Sequence, residues 1–185
     1  MAKQQFEQPE AKPILASRAA VTGGAVEVNV VIPLDTPIAA GYVDPAMKYM
    51  LDVWGTVIYP VTTPGTTVFT ARVGTSATPA TNTIAGAASA AVQATTQTGG
   101  VPFYLRAMLT VRSATNISGA NTVLYVRCAW FSPLSLQAAG SAGGVLFGGT
   151  ASVDTTVAQA VCVSVTPSVS GQSFAVEDVS WFSRN

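Results

Sequence analysis

The segment VPFYLRAMLTVRS, residues 101–113, alternates apolar and polar side chains. Phe103, Leu105, Ala107, Leu109 and Val111 fall on one side, and Tyr104, Arg106, Met108, Thr110 and Arg112 on the other. A period of two is the repeat of a strand with one buried face, and no helix gathers those five apolar residues into one stripe. The pattern recurs. In TVLYVRCAWF, residues 122–131, Leu124, Val126, Cys128 and Trp130 oppose Tyr125, Arg127 and Phe131. In MKYMLDVWGTVIY, residues 47–59, Tyr49, Leu51, Val53, Val57 and Tyr59 oppose Lys48, Asp52 and Thr56, and Trp54 and Ile58 fall on the polar side. In AVEVNVVI, residues 25–32, Val26, Val28, Val30 and Ile32 share a phase against Glu27 and Asn29. TTVFTARV, residues 66–73, reads as another strand.

The C-terminal third continues the pattern. Val161, Val163 and Val165 form one face of a strand in a stretch, residues 153–176, whose only charge is Asp154. In the last strand Phe174 and Val176 are out of phase with Val179 and Trp181. A bulge near Glu177 and Asp178 would return all four to one face. The middle, residues 74–100, is small and hydroxylated. Thr, Ser and Gly break any helical stripe there, leaving one short strand around residues 87–94. Turn signals separate the strands: TTPG at 62–65, the loop SATNISGAN, the run QAAGSAGG before a brief VLFGG, and TPSVSGQ. About eight short strands and no convincing helix predict an all-β fold, an antiparallel β-sandwich of jelly-roll type. It would occupy residues 25–185 as one domain. Residues 1–24 carry two prolines and five charges and end in Gly23 and Gly24, the pattern of an extended arm.

Charge narrows the function. Only 10% of residues are charged while 49% are hydrophobic, and nine basic residues balance nine acidic ones. No global field draws such a chain to nucleic acid or to an anionic membrane. From residue 53 to residue 153 the formal charges are four arginines: Arg72, Arg106, Arg112 and Arg127. So few charges suit a surface buried between subunits, or one coated with neutral Thr and Ser hydroxyls. No uninterrupted apolar run reaches about 18 residues, so a membrane-spanning helix is not expected. The polar start does not read as a secretory signal, which points to synthesis in a cytoplasm.

The chain has no histidine. That removes histidine-activated serine or cysteine nucleophiles and the commonest transition-metal ligand, so no enzyme, cofactor or metal is expected. Carboxylates remain for glycosidase chemistry, Asp35, Asp44 and Asp52 in one region and Glu177 with Asp178 in another. Adjacent strand residues point to opposite faces unless a bulge turns them. Gly143 to Gly149 follow no phosphate-binding pattern. Asn116 in NIS fits a glycosylation acceptor only by coincidence if no signal is present. Cys128 reads as a small core hydrophobe, and Cys162 points away from Val161 and Val163, so a bond between the two cysteines is disfavoured. Arg106 and Arg112, with Tyr104 on the same face, are the candidate contact residues: a solvated face, an intersubunit or particle contact, or a phosphate contact. Trp54, Trp130 and Trp181 could form a sugar-stacking platform, though core and interface aromatics are commoner.

The order of FYLRAMLTVRS, a Gly/Ser/Asn loop, TVLYVR, a Gly/Ala loop and VDTTVAQAVCVSVTPSVSGQSFAVEDV resembles the small jelly-roll virion proteins of tailed bacteriophages: head decoration or cement proteins, head fibres and tail appendages. KYMLDVWGTVIYPVTTPGTTVFTARVG resembles the strand pair that opens such domains, so the likeness covers roughly residues 47–181. It implies a non-enzymatic virion protein assembled in the host cytoplasm. It also implies a homotrimer bound to the major capsid protein or another virion protein, with no catalytic residue. The arm would serve attachment. A carbohydrate- or receptor-binding appendage domain is the first alternative. A major capsid protein of a small icosahedral virus is the second, weakened by an arm that sets Lys3, Lys12 and Arg18 against Glu7 and Glu10.

Overall fold

The computed structural model describes residues 21–22, 26–41, 43, 47–60, 65–89, 92–93, 100–113, 122–132 and 144–184. Twelve strands are assigned among them. They are β1 (Val21–Thr22), β2 (Val28–Val31), β3 (Pro37–Ile38), β4 (Lys48–Ile58), β5 (Thr66–Val73), β6 (Thr83–Ile84), β7 (Val92–Gln93), β8 (Val101–Ser113), β9 (Thr122–Phe131), β10 (Gly144–Val153), β11 (Gln159–Pro167) and β12 (Ser173–Arg184). Single 3-10 turns at Pro33–Asp35 and Pro79–Thr81 are the helical elements among the described residues.

All the pairings are antiparallel and build two sheets. The larger runs β1-β12-β4-β8-β9-β10, the smaller β2-β11-β5-β6, with β3 added on β11 and β7 on β5. Setting aside β3, β7 and the β9–β10 pair leaves eight strands, whose chain order runs 1-8-3-6 in one sheet and 2-7-4-5 in the other. That is the strand order of a jelly roll, as the sequence predicts. The β9–β10 pair is an insertion between the sixth and seventh strands and widens the larger sheet. The brief VLFGG strand expected from sequence is therefore a ten-residue strand, β10. Val21 and Thr22, within the segment read as an arm, pair with Phe174 and Ser173 of β12. Residues 1–20 and 23–24, the TTP of the 62–65 turn, Asp44, Asn116 and most of the two Gly-rich loops lie outside the described residues.

The core fills the space between the sheets. Leu51, Val53 and Val57 of β4, Phe103, Leu105 and Leu109 of β8, and Leu124, Val126 and Trp130 of β9 face Phe69, Ala71, Val163 and Val165 of the smaller sheet. Phe69 meets Trp130 with ring centroids 4.8 Å apart, and Phe103 meets Phe174 edge to face at 6.5 Å. The phase slip in β12 is resolved as the sequence predicts. Val176 pairs with Gly55 and Asp178 with Trp54, so Glu177 is the extra residue of a bulge. Phe174, Val176, Val179 and Trp181 are accordingly all buried.

Strand β2 departs from the expected alternation. Its register on β11 shifts, Val31 pairing with Val163 and Asn29 with Ser164, which leaves Val30 as an inserted residue. Val30 and Val31 are both buried, while Val26, expected on the core face, is 65% exposed.

Candidate interaction surface

The outer faces of the two sheets differ. On the smaller sheet the outward row is polar but covered. Arg72 of β5 and Glu27 beside β2 form a two-pronged ion pair, Nε to Oε1 and Nη2 to Oε2, each at 2.7 Å. The Ser164 hydroxyl donates to the same carboxylate. The segment after β5 folds over this row: Arg72 Nη1 donates to the Asn82 carbonyl, and Asn29 donates to the Ala77 carbonyl. Burial pushes the Glu27 carboxyl up, but hydrogen bonds from Arg72 and Ser164, with the arginine charge, outweigh it and hold the group below its ordinary 4.5. Cys162 lies under the same roof, where burial pushes its thiol up to about 12. Cys128 sits in the core with its thiol also pushed up by burial. Both cysteines are free, as the phase of their strands predicts.

The outer face of the larger sheet is open among the described residues. Burial along β4 and β9 alternates residue by residue, which leaves every second side chain outside. Paired positions place Trp54 of β4 beside Tyr104 of β8, and Tyr104 beside Phe131 of β9, in one row across three strands. Trp54 and Tyr104 have ring centroids 4.3 Å apart, and Tyr104 and Phe131 stack at 6.4 Å. Trp54, Ile58, Phe131 and Leu146 are 53%, 44%, 45% and 80% exposed. Exposed apolar side chains are ordinary one at a time, but a contiguous aromatic row on an open sheet face is the mark of an interaction site.

One charged pair crosses this face. Asp52 of β4 stands opposite Arg106 of β8 and accepts from Arg106 Nε at 2.7 Å, Nη2 at 3.0 Å and the Tyr104 hydroxyl at 2.5 Å. Burial pushes the Asp52 carboxyl up, but hydrogen bonds from Arg106 and Tyr104, with the arginine charge, bring it below its ordinary range. Burial and the Asp52 carboxylate push the Tyr104 hydroxyl up to about 12. The charges in the middle of the face thus neutralise each other.

Tyr104, Arg106 and Arg112, the residues singled out from sequence, do share this face, but they divide into two places. Tyr104 and Arg106 belong to the Asp52 cluster. Arg112 lies at the far end, its guanidinium 4.3 Å from the Tyr125 ring centroid, and the Arg127 guanidinium is 5.4 Å from the same centroid. Of the three tryptophans, Trp54 alone reaches the surface; Trp130 is core, and Trp181 is buried and stacked on Tyr49. Asp35 accepts from the Ile32 amide and Glu177 from the Thr56 hydroxyl.

A groove of about 450 Å³ runs between Gly74–Thr83 and Ser152–Gln159. Its polar groups are turned on one another: Asn82 on Ser76, Asp154 on Thr156, Gln159 on the Asp154 carbonyl. Among the described residues no group of three Cys, Asp or Glu side chains gathers to hold a metal ion.

Fold and surface together define a jelly-roll sandwich whose smaller sheet is covered over its outward polar row and whose larger sheet, among the described residues, presents an open aromatic row beside the paired Asp52 and Arg106. No family model matches the chain, and no curated protein matches it in sequence.

Proposed function

We propose that this chain is a non-enzymatic virion structural protein, a decoration or cement subunit on the outer surface of a phage head, and that it works by assembly. The observation that carries the assembly reading is the row of Trp54, Tyr104 and Phe131, flanked by Ile58 and Leu146, on the open face of the larger sheet. Burying such side chains is worth roughly 1.5–3 kcal/mol each, and aromatic anchors in desolvated patches dominate protein interfaces. The phage-head location and a trimeric state are carried by the sequence resemblance.

A glycan partner would have to stack on Trp54 or Phe131, because Tyr104 has Trp54 on one side and Phe131 on the other.

The test is co-sedimentation of the purified full chain with assembled phage heads lacking it. Saturable binding, lost in Trp54→Ser/Phe131→Ser, is the expected result. Failure to bind heads, with saturable glycan binding lost in Trp54→Ala, would replace this reading with the carbohydrate-binding one.

A further inference from the structure

Five cationic side chains belong to the described residues: Lys48, Arg72, Arg106, Arg112 and Arg127. Two of them are spent, Arg72 on Glu27 and Arg106 on Asp52. The other three are exposed on the outer face of the larger sheet, and none is ion-paired with a carboxylate among the described residues. On that face Asp52 is held by Arg106 and Tyr104, and Asp178 stands opposite Trp54, six residues of β4, about 20 Å, from Lys48.

The register gathers the three cations. Lys48, Thr110, Tyr125 and Thr150 form one row across β4, β8, β9 and β10, with Lys48 about 10 Å from Tyr125 along the backbone row. Arg112 and Arg127 stand on opposite sides of this row, Arg112 towards Val123 and Arg127 in the row of Met108 and Gly148. Both turn onto Tyr125. Their guanidinium carbons are 4.3 Å and 5.4 Å from its ring centroid, so they are less than about 10 Å from each other. Two features of the backbone favour this convergence. Arg112 is the inserted residue of a bulge in β8, between Val111 on Leu124 and Ser113 on Val123, and a bulge re-aims the side chain it carries. Gly148, paired with Arg127, puts no side chain beside it.

We propose that Arg112, Arg127 and Lys48 form a binding site over Tyr125 for a phosphate or sulfate group. Arg127 Nε is taken by the Tyr125 hydroxyl, which leaves its terminal N–H groups to donate, and the Arg112 guanidinium makes no hydrogen bond among the described residues. Each guanidinium presents a planar fork of donors that matches two oxygens of a tetrahedral oxyanion, and the ammonium of Lys48 adds a point charge from the next strand but one. Three cations call for more than the single charge of a carboxylate. The ligand is one anionic group and not a long polyanion, because a chain of phosphates running on along the face would meet Asp178 in the aromatic row. The site does not depend on the assembly reading: Arg127 is four residues of β9, about 13 Å, from Phe131.

The test is isothermal titration of the full chain with inorganic phosphate at neutral pH, with ionic strength held low and constant by chloride so that general screening cancels. The expected result is one saturable site with a Kd on the order of 1 mM. Arg112→Gln/Arg127→Gln should weaken it at least tenfold, the loss that follows when charged hydrogen bonds are removed, and Lys48→Gln should weaken it less. All three residues are exposed, and unaltered circular dichroism shows each variant is folded. Glucose 6-phosphate is the second probe. Binding as tight as that of phosphate supports the site and assigns it a monoester carried on a sugar; weaker binding supports it as a site for the free anion. No saturable binding of phosphate, equal binding in the double arginine variant, or acetate binding as tightly as phosphate overturns the proposal.

Discussion

The bulge in β12 offers a test of register in which one deletion is harmless and a neighbouring one is not. Val176 faces the core opposite Gly55, Asp178 faces outward opposite Trp54, and Glu177 is the additional residue between them. Removing Glu177 leaves Val176 inward, Asp178 outward and Val179 inward, which is the plain alternation of a regular strand. The loss is one exposed hydrogen bond to Thr56, on the order of 1 kcal/mol. Removing Ala175 instead forces a choice. Either the bulge is kept and Phe174 turns out of the core, or it is abandoned, exposing Val176 and burying Glu177. Phe174 is 1% exposed and Val176 3%. Each route costs at least about 1.5–3 kcal/mol for the apolar side chain, and the second adds a buried carboxylate. That is a large share of a domain stability of roughly 5–15 kcal/mol. Equilibrium urea unfolding at fixed protein concentration, followed by the fluorescence of buried Trp130 and Trp181, measures both. The expected outcome is a Glu177 deletion within about 1 kcal/mol of wild type and an Ala175 deletion at least about 2 kcal/mol below it. Equal destabilisation by the two deletions would refute the assignment of Glu177 as the inserted residue.

Other outcomes follow from the same geometry. The Glu27 carboxyl titrates below its ordinary 4.5 in the folded chain, so the stability it contributes is complete above that value and disappears as pH falls through the folded one. Glu27→Gln should therefore flatten the fall in urea midpoint between pH 6 and pH 3 (on the order of one acid group's share), and an unchanged slope would contradict the role given to the pair. Glu27→Ala at neutral pH leaves Arg72 buried without its carboxylate and should cost about 3 kcal/mol by urea unfolding. Gly55→Ala places a methyl 2.2 Å from the Ala175 carbonyl and 2.6 Å from the Phe103 ring, so a loss of roughly 1–3 kcal/mol is expected in the same assay. Neither Cys128 nor Cys162 should react with a maleimide in the folded protein at neutral pH, and both should react in urea; mass spectrometry counts the adducts.

Much of the larger sheet was legible because its strands alternate over nine or more residues with one buried face. Trp54, Ile58 and Phe131 declared themselves by falling on the polar phase of β4 and β9. The β12 bulge was legible for the same reason, since two apolar pairs out of phase on one strand need an inserted residue. β2 was not, because a four-residue strand with consecutive valines at 30 and 31 satisfies either phase, and only pairing with β11 decides between them. Strand β11 hid its second face. Cys162 and Ser164 look like outward residues, but Cys162 is roofed by the 74–84 segment and Ser164 is bonded to Glu27, whose pair with Arg72 joins positions 45 residues apart. Asp52 as the partner of Arg106 required the register of β4 on β8, which composition does not carry. Leu146 was missed because the brief VLFGG run was too short to set a phase, and Gly148, with φ near 106° and backbone within 2.4 Å of where a Cβ would sit, is a strand position that only glycine fits.

The central claim is that the open face of the larger sheet is covered in the working protein. Light scattering on the purified full chain, beside Trp54→Ser/Phe131→Ser with matching circular dichroism, tests it most directly. A mass above the 18.9 kDa of one chain for the wild type, falling to one chain in the variant, is the result expected. A wild-type monomer that stays monomeric at tens of micromolar (about the concentration at which a weak standard-sized interface still forms) and does not bind phage heads would contradict it.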